Sequence, residues 1–133
     1  VADRTIEAQK AVVAALKAAA PVTALVSTRI HDRAPDGVRF PHVEIGTVAS
    51  IPFDGQALRG MDALMQIDVW SRRTGAVQCR QIMAAIKNAL HFQPLTLDAG
   101  ALVMMRVSAL RDMRDPDGVT VHGVIDLQIL TDG

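Results

Sequence analysis

The chain has 133 residues, balances 14 Lys+Arg with 14 Asp+Glu, and is half apolar yet only 3% aromatic. Zero net charge argues against a protein that grips nucleic acid or an anionic membrane through its whole-molecule field. Four aromatic residues (Phe40, Phe53, Trp70, Phe92) and no Tyr disfavour a base-stacking platform.

From the N-terminus, residues 4–20 predict an amphipathic helix, with Ile6, Val13, Leu16 and Ala20 near one face and Val12 and Ala19 widening the stripe. Pro21 is expected to stop it. After a short apolar turn comes Arg29-Ile30-His31-Asp32-Arg33-Ala34-Pro35, then the turn chemistry of Pro35-Asp36-Gly37. From His42 the pattern alternates, with Val43, Ile45 and Thr47 on one face and His42, Glu44 and Gly46 on the other. Residues 49–61 predict a loop or a long hairpin tip. A second strand is expected over 62–71, its Ala63, Met65, Ile67 and Val69 inward and Asp62, Gln66, Asp68 and Trp70 opposite.

Thr74 is placed to cap a second helix over 75–91, whose apolar stripe is Cys79, Ile82, Met83, Ile86 and Leu90. Two further strands, about 101–113 and 119–130, flank Asp115-Pro116-Asp117-Gly118, a type I turn sequence and hence a hairpin. Val119, Val121, Ile125, Leu127 and Ile129 are expected to share the inner face of the last strand. The order helix, two strands, helix, two strands gives an α+β fold: an antiparallel sheet of about four strands with both helices on one side. Residues 1–133 are read as a single domain without repeats or linkers.

The search for chemistry returns little. A lone cysteine, Cys79, excludes an intramolecular disulfide, fits a reducing compartment or a secreted protein that uses no disulfides, and reads as buried inside the helix stripe rather than reactive. His31, His42, His91 and His122 share no metal-ligand spacing, no Ser sits in a nucleophile elbow, and the glycines are scattered singly. Twelve of the 14 acidic residues are Asp, many of them in turn or cap positions (Asp36, Asp54, Asp98, Asp115, Asp117). No cofactor, metal or catalytic residue is expected. No apolar run approaches the ~20 residues of a membrane span, and no secretory signal precedes the first helix, so a soluble chain made in the cytoplasm is expected.

Arginine is more informative, supplying 11 of the 14 basic residues. Guanidinium suits fixed interfacial ion pairs, although codon bias in a GC-rich genome produces the same composition. Arg29, Asp32 and Arg33 mix both signs in one short segment, and Arg111, Asp112, Arg114 and Asp115 do so at a hairpin end. Such clusters suit self-complementary contacts, or else lie solvated in loops.

Several stretches together carry a resemblance: Arg29 to Pro35, Phe40-Pro41-His42-Val43, Ile67-Asp68-Val69-Trp70-Ser71, Ile82-Met83-Ala84-Ala85-Ile86, and Arg114-Asp115-Pro116-Asp117-Gly118 with His122-Gly123. In their order and spacing the chain resembles the small tail-completion, or tail-terminator, family of long-tailed phages, prophages and gene transfer agents, over residues 5–131. The resemblance implies a structural role. Its members form a ring, usually a hexamer, on the head-proximal end of the tail tube, stop tube growth, and offer an attachment surface to the head through its stopper or connector proteins. DNA passes through the lumen without sequence readout. The implied partners are copies of the chain itself, the major tail tube protein and the head-side proteins, within a particle assembled in the bacterial cytoplasm. On this reading Phe53 and Arg59, carried on the 49–61 loop, dock on the tube or line the lumen. Arg29, Asp32, Arg33, Arg111, Arg114 and Asp115 are candidate contacts between protomers or rings. Trp70 is an interfacial anchor or a cover for the second face of the sheet. A head-completion or tube subunit is the neighbouring alternative, and a small ligand-binding or enzymatic domain the more distant one.

Overall fold

The computed structural model describes residues 4–53, 60–73, 75–97 and 100–132. Its elements in chain order are α1 (Arg4–Ala18), α2 (Ala20–Val26), β1 (Ile30–His31), β2 (His42–Phe53), β3 (Gly60–Ser71), α3 (Val77–Leu90), β4 (Ala101–Arg114) and β5 (Val121–Asp132). One mixed five-stranded sheet runs β1-β2-β3-β5-β4, with β1 parallel to β2 and every other pair antiparallel. The helices cover one face. The α+β layering expected from the sequence is therefore present, and among the described residues there are three helices where two were expected and five strands where about four were.

The extra helix comes from Pro21. It does not simply end the first helix: Ala19 takes an extended conformation, Pro21 sits in the first turn of α2, and the axis bends by 82°. A first-turn proline loses no intrahelical hydrogen bond, so it starts a helix as readily as it stops one. The buried face of α1 is Ala8, Val12 and Leu16, rotated from the expected stripe, and Ile6 is left 57% exposed.

α3 buries Cys79, Ile82, Met83, Ile86 and Leu90, as its spacing predicts. Each large apolar side chain among them contributes roughly 2 kcal/mol of burial. The helix starts at Val77 after Ala76, which makes no side-chain cap; Thr74, the expected cap, lies outside the described residues. Burial pushes the Cys79 thiol up to about 11, helped by the Asp112 carboxylate, and its Sγ lies 3.8 Å from Met83 Sδ. That makes it an inert core residue.

β3 buries Ala63, Met65, Ile67 and Val69 on the helix side, and β5 buries Ile125, Leu127 and Ile129 beside them. Of the stretch 49–61 expected as a loop or long hairpin tip, 49–53 and 60–61 are strand, with β2 continuing to Phe53, β3 starting at Gly60 and these two residues paired, while 54–59 lie outside the described residues. A bulge between Ile45 and Val48 shifts the register of β2. Gly46 sits in it, where a Cβ would come 2.5 Å from Asp68 Oδ2.

In the β4–β5 hairpin the Gly118 N–H donates to the Asp115 carbonyl and Gly118 takes φ +76°. The Asp117 carboxylate accepts from the Val119 and Thr120 N–H groups and from the Thr120 hydroxyl. These donors, the hydroxyl foremost, hold its carboxyl down at about 2. Val119 departs from the expectation: it belongs to the turn, outside β5, and is 57% exposed.

Candidate assembly surfaces

The strand order puts two different edges on opposite sides of the sheet, and each has its own character. β4 forms the long edge. Beside it, the Phe92 N–H donates to the Met105 carbonyl (2.7 Å) and the Val107 N–H donates to His91 Nδ1 (2.9 Å), so the chain leaving α3 closes part of that edge. Beyond the bulge between Val107 and Ala109 the situation changes. The Asp115 N–H donates to the Thr120 carbonyl, and antiparallel alternation from that pair points the backbone groups of Asp112 and Leu110 away from β5. Among the described residues no loop hydrogen bond reaches them. Leu110 and Met113 are exposed there, 42% and 45%. Open edges of this kind invite strand addition.

The opposite edge is the two-residue β1. Between it and α1 runs an open groove of about 780 Å³, with Val13, Ala14 and Ile30 in its apolar part, Ile6 at one end, and Lys10, Lys17 and Asp32 among its polar lining. Arg29 is braced rather than projecting, since its Nε donates to the Pro41 carbonyl at 2.8 Å. The Ala34 N–H donates to Glu44 Oε2, which ties the 32–41 loop to β2.

The third surface is the sheet face turned away from the helices. Trp70, His122 and Met113 lie in one cross-strand row. Trp70 and His122 stack at 3.9 Å between ring centroids and 6° between planes, and His122 Nε2 lies 2.7 Å from Asp68 Oδ1. Trp70 is thus half-buried and covers the outer face. The same register continues to His42 on β2, which is 5% exposed, with no hydrogen-bond partner for its Nδ1 among the described residues. Burial lowers the His42 pKa, and His31 and Arg29 act in the same direction, against Glu44 and a hydrogen bond to the Arg39 backbone. The unfolded chain then binds more protons than the folded one below pH ~6.5. Stability should fall as pH drops through that value towards the lowered one. Urea titrations at stepped pH should show this limb, and His42→Phe should flatten it.

Of the residues singled out in the sequence, Arg29, Asp32 and Arg33 lie at the β1 edge and Arg111, Arg114 and Asp115 on β4 or its turn, at opposite edges of the sheet. Asp32, Arg33, Arg111 and Arg114 are exposed. Arg111 pairs with Asp126 at 3.2 Å, and Asp112 is held by Arg80 of α3 at 2.8 Å. Phe53 is the last residue of β2, and Arg59 lies outside the described residues. Sequence reading missed the His122–Asp68 contact, which joins residues 54 positions apart, and the His91 bond to the β4 edge. The alternation that places both Asp68 and His122 outward was the available signal for the first. Among the described residues no three His, Cys, Asp or Glu side chains gather as a metal site.

The tail completion protein gp17 of Bacillus phage SPP1 is 29% identical over 120 residues, spanning 90% of this chain and 88% of that protein. Its solved structure, that of bacteriophage SPP1 gp17 protein, superposes with a TM-score of 0.66 at 26% identity, covering 95% of this chain and 89% of that one. A chain from the virion of a native gene transfer agent particle shares the fold more closely, with a TM-score of 0.90 at 23% identity and 97% of both chains covered. The family model described as tail completion protein gp17 matches residues 10–132. The chain therefore belongs to the tail completion protein gp17 family, as a structural component of a phage or phage-like tail and not an enzyme.

Proposed function

We propose that residues 1–133 act as one ring-forming domain that closes head-to-tail, six protomers round, on the head-proximal end of a tail tube. The ring ends tube polymerisation and offers the surface on which the head's stopper or connector protein docks. DNA crosses the lumen without sequence readout.

One observation carries this reading: the two mixed-sign clusters fall at opposite edges of a single sheet, one beside an apolar groove and the other along an open strand. A closed ring of identical copies needs two unlike, complementary patches on each protomer. The β4 edge, with Leu110, Arg111, Arg114 and Asp115, supplies one, and the α1–β1 groove, with Arg29, Asp32 and Arg33 nearby, supplies the other. The β2–β3 hairpin, through Phe53 and Arg59, is the element assigned to the tube or the lumen wall. Trp70 is assigned to covering the outer sheet face.

Electron microscopy of the purified chain mixed with tube protein tests the assignment. The expected result is one ring at one end of each tube, with tube growth stopped there. Filaments formed by this chain alone would identify it as a tube subunit instead and overturn the reading.

A further inference from the structure

The neutral total charge conceals a separation between the two layers. All three lysines lie on helices, Lys10 and Lys17 on α1 and Lys87 on α3. Arg80 of α3 is held by Asp112, and Glu7 is the acidic residue among the helices. The outer sheet face has the opposite balance: Glu44, Asp62, Asp68, Asp126 and Asp132 against Arg106 and Arg111. Asp62 is positioned by a neutral amide, which orients it without cancelling its charge, and Asp68 is shared between a second amide and His122. Gln66 Nε2 donates to Asp68 at 2.8 Å, and Gln128 Nε2 donates to Asp62 at 3.1 Å.

DNA carries one negative charge per ~1.7 Å of axis, and each phosphate that meets a basic side chain adds salt-dependent affinity through counterion release. A wall that must let DNA slide past is best built from the acidic face, and repetition round a ring multiplies either choice. We infer that the outer sheet face is the wall turned towards the DNA, and that the lysine-bearing helix layer is turned away from it. This inference rests on the ring reading above, and it orients each protomer within that ring.

The test uses complete particles built with the full chain. Asp62→Lys with Gln128→Lys makes the outer face basic, while Lys87→Glu with Asn88→Glu, both exposed on α3 and away from either assigned protomer contact, makes the helix layer acidic. Microscopy scores whether tails are capped and joined to heads, and DNA delivery from the completed particles is then timed. The outer-face variant should deliver DNA at least tenfold more slowly, with raised salt relieving the delay, and the helix variant should match the unmodified particle within twofold. Should the double variant complete no particles, Gln128→Lys alone is read by the same criteria. Unchanged delivery through outer-face variants, or slowed delivery through the helix variant, overturns the orientation and leaves the ring intact. Absence of rings with the unmodified chain overturns both.

Discussion

Replacing Gly123 by Val should destabilise the protein by about 3 kcal/mol, the upper part of the range for overpacking a filled core. A Cβ at Gly123 would stand 2.6 Å from Met83 Sδ and 2.7 Å from Cys79 Sγ, well inside contact distance. Both sulfurs belong to the buried stripe of α3, so this glycine is where the helix settles on β5. The Met83 thioether can swing aside, but Cys79 has one short side chain and is fully buried. Valine adds two further methyl groups, and α3 must lift from the sheet with its five buried side chains. Near the thermal midpoint each kcal/mol moves Tm by roughly 3–4 °C in a chain of this size, so a drop of about 10 °C is expected by calorimetry. Alanine should cost less. Gly123→Ala combined with Cys79→Ala should cost less than the sum of the two alone, because the second substitution removes an atom that the first would strike. Additive losses would show that the helix seat lies elsewhere.

What the sequence made legible follows from where the physical signal is local. The α3 stripe and the alternation of β3 are periodic over many residues without proline, and both buried the expected side chains. The Asp115–Gly118 turn carries its own geometry in proline and glycine, and the hairpin forms there. α2 was hidden because Pro21 has two opposite local meanings, decided by whether the next turn can bury Val22 and Val26. β1 was hidden because two residues have no period, and its existence depends on pairing with Val43 and Glu44. The candidate surfaces were half legible. The charge clusters could be located in the chain, but their separation to opposite sheet edges follows from β5 lying between β3 and β4, a long-range choice. The division of charge between layers likewise needed the sheet and helix faces to be known.

Two variants, each blocked on one edge, should fail separately and stop at a pair when mixed. On the β4 side, Leu110→Glu with Arg114→Glu puts charge on an exposed apolar position and reverses an exposed arginine. On the groove side, Ile6→Glu with Arg33→Glu does the same, again at exposed positions. Neither set touches the buried core, so both proteins should keep the unmodified Tm within a few degrees. Losing an apolar contact and reversing a charge at an interface weakens each contact by roughly 3 kcal/mol, more than a hundredfold. A closed ring loses that amount at every interface, so neither variant alone should cap a tube. Mixed one to one, the intact groove of the β4-side variant still meets the intact β4 edge of the groove-side variant. Only one such contact can form, because the remaining edges of the pair are both blocked. Native mass spectrometry of the mixture with tube ends should therefore show a heterodimer and no ring. An isologous interface would behave differently: it uses one patch twice, and one of the two variants would still associate with itself. Self-association of one variant alone would overturn the head-to-tail ring in favour of an isologous contact through its intact edge, and self-association of both variants, or ring formation by the mixture, would remove the two sheet edges from the interface and require protomer contacts through another surface.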